Sequence, residues 1–254
     1  DGTTPAQYDI VYDASNRISE VRSIDGTVLA GQRDSIVFAY NAAGQLASIS
    51  TREGGVLKGQ VSYGYENANG TGRLAWVQTD LTPEITTDNT WDATTAANND
   101  GKRFRTAYTY VSATASDLRI ASVSTSDGVT VGYTYEADGS GGFRVKTVTQ
   151  GSGGAAQTTT FTYGTTTTDV VDGAGRTWTY EYDANKQLIA MLEPAVSGLR
   201  QKTSYTYDTS GNLIRVSQAP SAGSAAVLDT VFRYDTNGNR ILQRDLLGNT
   251  VAWT

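Results

Sequence analysis

The chain has 254 residues, with 20 Lys and Arg against 26 Asp and Glu, a formal net charge of −6, and neither Cys nor His. Lack of those two residue types excludes disulfides, thiolate nucleophiles, Ser-His-Asp triads and the usual zinc sites. The acidic balance, with no run of Lys or Arg, excludes the footprint of a nucleic-acid binder, and no apolar run approaches the roughly 18 residues of a membrane span.

The length permits a buried core, and repetition decides how it is organised. The first unit is Tyr8-Asp9-Ile10-Val11-Tyr12-Asp13-Ala14-Ser15-Asn16-Arg17-Ile18. In the clearest copy Tyr205 and Tyr207, two apart, share one face of a strand, and in this first unit Asp13 to Asn16 supplies the turn chemistry. Asn16 stands where later copies have Gly, because Asn tolerates the left-handed region. The second copy, Phe38 to Leu46, has Tyr40, Asn41 in place of Asp, and Gly44. The third runs through Tyr63 and Tyr65 to Leu74, with a longer turn before Trp76 and Val77.

Between residues 80 and 105 the pattern lapses. Trp91-Asp92-Ala93 reads either as a degenerate repeat or as part of a loop insertion that includes the small and polar Thr94 to Gly101. The pattern returns at Tyr108 and Tyr110, with a return strand expected over Leu118 to Val123, and again at Tyr133 and Tyr135. Phe161 and Tyr163 open a copy whose second half blurs into Thr165 to Thr168. Tyr180-Glu181-Tyr182-Asp183, Tyr205-Thr206-Tyr207-Asp208 with Gly211, and Phe232-Arg233-Tyr234-Asp235 with Gly238 complete the series.

From Tyr12 to Tyr234 the second aromatic recurs about every 25 residues, a period that marks stacked repeats with collective stability. The expected fold is all-β: residues 1–254 form a single array of nine or ten β-hairpins. On the order of 20 strands make an antiparallel sheet wide enough that it must curl, split or coil. Helix should be scarce, because no segment keeps a 3.6-residue apolar period. Asp245 to Thr254 aligns with Asp172 to Glu181 and stops within a strand, which reads as a fragment of a larger array. No charged-then-apolar leader is present, so an address signal is expected outside this chain, and the Thr, Ser, Gly, Ala and Asn richness leans toward a secreted or cell-surface location.

Tyr-Asp, a two-residue spacer, Gly, then Leu or Ile and Val, repeated along essentially the whole chain and clearest at Tyr205 to Val216 and Phe232 to Leu242, resembles the YD-repeat of Rhs proteins. The resemblance implies a long antiparallel sheet spiralling into a hollow shell, as in bacterial Rhs and polymorphic toxins, the C component of insecticidal toxin complexes, and teneurins. In those families the shell sequesters or presents a C-terminal toxin, so the implied partners are other repeats and a C-terminal effector of the same polypeptide. The Asp-Pro element of the self-cleaving family core is missing, since the four prolines follow Thr4, Thr82, Glu193 and Ala219. The resemblance therefore assigns no processing or toxicity to these residues.

Asp235-Thr236-Asn237-Gly238-Asn239 begins like a calcium loop, but an EF-hand needs Gly at the sixth position and Glu at the twelfth, where Leu246 stands. Turn capping accounts for Asp13, Asp183, Asp208 and Asp235 together, and no metal or cofactor is expected. Asp172 with Glu181 or Asp183 is the place to look for a glycosidase pair, yet carboxylates recurring at turns are explained by the repeat, and an enzyme is not expected. Trp76, Trp91 and Trp178 would stack on sugar rings if exposed; cross-strand packing is the alternative. Arg17, Arg73, Arg119 and Arg240 share a register, as solvated positions or partners of turn carboxylates. Two functions remain open: a non-enzymatic shell segment of a toxin-related bacterial protein, and a cell-surface adhesion or carbohydrate-binding module that takes surface glycans.

Overall fold

The structure is a computed structural model that describes residues 7–24, 29–67, 72–83, 103–151 and 153–253. Among these are 19 strands and two three-residue 3-10 turns. The chain divides into two compact units, Asp1–Gly132 and Tyr133–Thr254.

The first unit contains β1 (Tyr8–Tyr12), β2 (Ile18–Ser23), β3 (Ser35–Tyr40), β4 (Leu46–Glu53), β5 (Val56–Tyr65), β6 (Leu74–Asp80), β7 (Arg103–Tyr110) and β8 (Ile120–Thr125). Strand β9 (Thr130–Ala137) spans the boundary, and Thr130 to Gly132 pair with β8. The second unit continues with β10 (Phe143–Gln150), β11 (Gln157–Tyr163), β12 (Thr167–Val171), β13 (Thr177–Tyr182), β14 (Leu188–Leu192), β15 (Lys202–Tyr207), β16 (Leu213–Ala219), β17 (Leu228–Tyr234), β18 (Arg240–Arg244) and β19 (Thr250–Ala252). Within each unit every strand pairs antiparallel with its sequence neighbours. Short turns make this order the cheapest to close.

Strand β6 pairs directly with β7, Asp80 opposite Arg103. In the ladder, the repeat of Tyr65 is therefore followed immediately by the repeat of Tyr110. Trp91-Asp92-Ala93 and Thr94 to Gly101 lie outside the described residues. The return strand expected over Leu118 to Val123 begins at Ile120, because Asp117 accepts the Arg119 amide at 3.1 Å and holds the preceding residues in the turn. Leu118 is left 70% exposed.

Pleating gives each unit two unlike faces. In the first, Ile10, Tyr12, Phe38, Tyr40, Val61 and Tyr63 lie on one side, with Arg22, Ser50, Gln60, Asp80 and Arg103 on the other. In the second, Phe161, Trp178, Tyr180, Tyr205 and Phe232 oppose Thr158, Thr179, Glu181, Ser204 and Ser217. The polar side is tied by cross-strand bonds: Thr109 to Ser122 at 2.6 Å, Thr149 to Thr158 at 3.0 Å, Thr179 to Asp169 at 2.6 Å. Arg103 meets Asp80 at 2.8 Å, both nearly buried.

Among the described residues no extended buried core is formed: Ala190 is the only buried hydrophobic residue, while Tyr8, Phe104, Phe143 and Val251 are each more than half exposed. A strand that only touches strands beside it leaves both faces of its side chains half open. Cross-strand side-chain pairs and bonds within the sheet are the stabilising contacts that the described strands share.

Candidate functional site

The recurrent chemistry lies where one hairpin meets the next, and it starts with the turn. The Asp13 side chain accepts the amides of Ser15 at 2.8 Å and Arg17 at 2.9 Å, while its own amide reaches the Arg17 carbonyl. The same pair of amides is held by Asn41, Asp138, Asp172, Asp183, Asp208, Asp235 and Asp245. The fourth loop residue takes a positive φ: 59° at Asn16, 66° at Lys186, 84° at Gly211. This is a type I turn followed by a left-handed residue. Gly44 and Gly238 hold the same place.

These bonds favour the ionised carboxylate. The amide side chains of Asn212, Asn239 and Asn249 hold Asp208, Asp235 and Asp245 below the usual range, and the Arg119 guanidinium holds Asp117 down to about 2. At Asp235 both oxygens are engaged, one by the Asn237 and Asn239 amides and one by the Asn239 side chain.

After the turn, seven hairpins carry a bulge at the second aromatic, whereas Tyr163 faces Thr168 without one. Val11 faces Glu20 but Tyr12 faces Ile18, so Ser19 is the extra residue. The shift recurs at Tyr40, Tyr65, Tyr110, Tyr182, Tyr207 and Tyr234.

The second aromatic then reaches across to the preceding hairpin. The Tyr40 hydroxyl donates to the Ile18 carbonyl at 2.9 Å, Tyr65 to Leu46 at 2.8 Å, and Tyr110 to Leu74 at 2.8 Å. Tyr163 donates to Val145 at 2.7 Å, Tyr207 to Leu188 at 2.9 Å, and Tyr234 to Leu213 at 2.9 Å. The backbone ladder between β14 and β15 ends at Ala190 opposite Ser204; Leu188 and Tyr207 lie beyond it. The other five junctions repeat that geometry, with ladders ending at Glu20, Ser48, Trp76, Thr147 and Arg215. Each hydroxyl thus makes the next bond where the ladder stops.

An arginine reinforces several junctions. Arg17 pairs with Asp13 at 2.6 Å and lies over the Tyr40 ring at 4.1 Å. Arg144 pairs with Glu136 at 2.8 Å and covers Tyr163 at 4.1 Å. Arg73, only 8% exposed, holds Glu66, covers Tyr110, and donates to the carbonyls of Ser112, Thr114 and Asp117. Arg240 lies over Trp253 at 4.9 Å. Where the position is Gln45, its side chain reaches the Gly72 carbonyl at 3.1 Å instead.

Of the candidate stacking residues Trp76, Trp91 and Trp178, the first and the last lie among the described residues. Trp76 lies on the polar side, with the Arg105 guanidinium 4.2 Å from its ring and the Gly64 backbone against its edge. Trp178 lies on the aromatic side, opposite Val170 and 5.6 Å from Arg176. Tyr12 is 54% exposed, Tyr182 bonds through its amide to the Thr166 carbonyl at 2.7 Å, and Tyr135 follows Thr134, whose hydroxyl meets Thr147 at 2.6 Å. Among the described residues no group of three or more potential metal ligands comes together, and no helix is long and apolar enough to cross a membrane.

No protein-family model matches the sequence, and no curated protein matches it. Solved structures do. A crystal structure of TcdB2-TccC3-TEV aligns over 91% of this chain with a TM-score of 0.57 at 14% identity. TcdB2-TccC3 without its hypervariable C-terminal region aligns over 95% with a TM-score of 0.56 at 14% identity. The Photorhabdus luminescens Tc holotoxin pore aligns over 89% with a TM-score of 0.51 at 12% identity. The chain spans 12%, 12% and 13% of those chains. The all-β repeat fold expected from the YD-repeat resemblance is the fold these structures share with it.

Proposed function

We propose that this chain is a non-enzymatic wall segment of an Rhs-type β-shell, in a large exported, toxin-related bacterial protein, that encloses or presents another part of the same polypeptide. One observation carries the reading: the repeated chemistry is spent on joining each hairpin to the next. The acceptor oxygens of the turn aspartates hold their own loop amides, and the tyrosine hydroxyls hold neighbouring carbonyls. Groups engaged in this way are suited to extending a sheet sideways rather than to turning over a substrate. The fold likeness to Tc toxin structures, of which this chain spans a small part, supports the same role.

The test is to raise an antibody against residues 7–253 and probe fractions of the native cells, before and after external protease. A reactive polypeptide much longer than 254 residues, trimmed to a large resistant core, is expected. A surface polypeptide degraded readily by external protease would overturn the shell. If Trp fluorescence then also responded saturably to a glycan, the surface-binding alternative would take its place.

A further inference from the structure

On the polar side of the first unit lies a cavity of about 320 Å³ whose lining includes Arg22, Arg33 and Arg52 against one carboxylate, Glu20. In a chain of net charge −6 this is a local reversal of sign. Its construction is specific. Ser35, 8% exposed, sits opposite Arg22 on one side and Arg52 on the other, so the two arginines flank it from strands about 9.6 Å apart. Arg22 is oriented by Asp9, with bonds of 3.0 and 2.6 Å, and lies 3.6 Å from Glu20. Arg52 is oriented by the Gly55 carbonyl at 3.1 Å.

The far wall is backbone. The Gly54-Gly55 tip of the β4–β5 hairpin packs on the 3-10 turn Ala30–Gln32, and a Cβ on Gly55 would fall 2.0 Å from the Gly31 carbonyl oxygen. Gly55 also has φ +81°, and the Gly54 amide is held by Asp34 at 2.8 Å. Only glycine at position 55 permits this approach. Guanidinium forks around one small cavity, two of them held by Asp9 and by the Gly55 carbonyl, are the arrangement that binds planar or tetrahedral oxyanions.

We propose that this cavity is a binding site for a small oxyanion, a carboxylate or phosphate group, held between Arg33 and Arg52 with Ser35 at its base. The proposal is independent of the shell reading. The test is to titrate the isotope-labelled full chain with succinate and, separately, inorganic phosphate at constant ionic strength, following the amide signals of Gly31, Ser35 and Gly55. Saturable shifts confined to these residues are expected, with a midpoint on the order of 1 mM that weakens at least about tenfold in Arg52→Gln and in Arg33→Gln. Arg176→Gln, at a turn of the second unit, should leave the midpoint unchanged. A response to succinate alone assigns the site to carboxylates, and one to phosphate alone assigns it to phosphate. Shifts that do not saturate, that chloride reproduces, or that persist unchanged in both arginine variants would overturn the proposal.

Discussion

Replacing Tyr207 by Phe keeps the ring and removes one hydroxyl, so it isolates the bond to the Leu188 carbonyl, 2.9 Å long and partly buried. A hydrogen bond of this kind contributes about 1 kcal/mol net. Only three residue pairs join β14 to β15, ending at Ala190 and Ser204, and the lost bond lies past that end. In an array held by nearest-neighbour coupling the loss should stay at the damaged junction. Amide hydrogen exchange is the assay: protection in β14 and β15 should fall about fivefold, with β1 and β2 unchanged. Tyr12→Phe is the control, because among the described residues the Tyr12 hydroxyl has no partner and its ring is 54% exposed. That change should leave protection within error. If the two variants behaved alike, or if Tyr207→Phe lowered protection evenly through the second unit, the hydroxyl would not be joining repeats.

Asp208→Ala removes the acceptor for the Ser210 and Asn212 amides and should lower the melting temperature by about 2–4 °C. Asp208→Asn should lower it less, since Asn41 holds the equivalent amides with one amide oxygen; equal losses in circular-dichroism melts would refute the capping role. Arg73→Lys should destabilise far more than Arg176→Lys, because Arg73 is nearly buried with carbonyls of a neighbouring turn on its fork, whereas the Arg176 side chain is 65% exposed. Gly64→Ala would place a Cβ 2.0 Å from the Trp76 ring and should cost about 1–3 kcal/mol, with a red-shifted Trp emission as the ring leaves Arg105. Acid should unfold the chain late. Asp117, Asp208 and Asp235 have depressed pKa values when folded, so their stabilisation is present above the ordinary value of 3.8 and is lost as pH falls toward about 2, where Asp117 titrates. With no His in the chain, melting temperature should stay flat from about pH 8 to pH 5 and drop below about pH 4; a fall beginning above pH 5 would refute this.

The hairpins were legible because their determinants are local: Asp, then a left-handed residue three positions on, then Leu or Ile, all within one turn. The junctions were not. The acceptor for Tyr110 is a backbone carbonyl 36 residues earlier, and a carbonyl has no sequence signature. Arg17, Arg73 and Arg119 could be read as partners of turn carboxylates, which they are at Asp13, Glu66 and Asp117. That Arg17 and Arg73 also cover the next tyrosine ring depends on the offset between neighbouring hairpins, which composition does not reveal. Leu118 has the character of a strand residue, yet β8 starts two residues later because Asp117 and Arg119 lengthen the turn around it. Length permits a core without requiring one: an apolar face can be read from alternation, but what covers it cannot.

The two aromatic positions of the hairpin differ in a way the junction explains. The first is Phe38, Phe161 or Phe232 in some copies, Tyr63, Tyr108, Tyr133, Tyr180 or Tyr205 in others, and Ile10 in the first. At the second, every hairpin with described strands has Tyr: 12, 40, 65, 110, 135, 163, 182, 207 and 234. Packing on a half-open face asks only for a ring, which Phe supplies as well as Tyr. At six of these nine, Tyr40, Tyr65, Tyr110, Tyr163, Tyr207 and Tyr234, bridging to a carbonyl beyond the last ladder pair asks for a donor at the ring's far end, which Phe lacks. The acceptor side carries no such demand, and the residue there is Ile18, Leu46, Leu74, Val145, Leu188 or Leu213. Sequence is therefore strict where a side chain makes the junction and loose where the backbone does, as expected of a sheet whose cohesion runs from hairpin to hairpin.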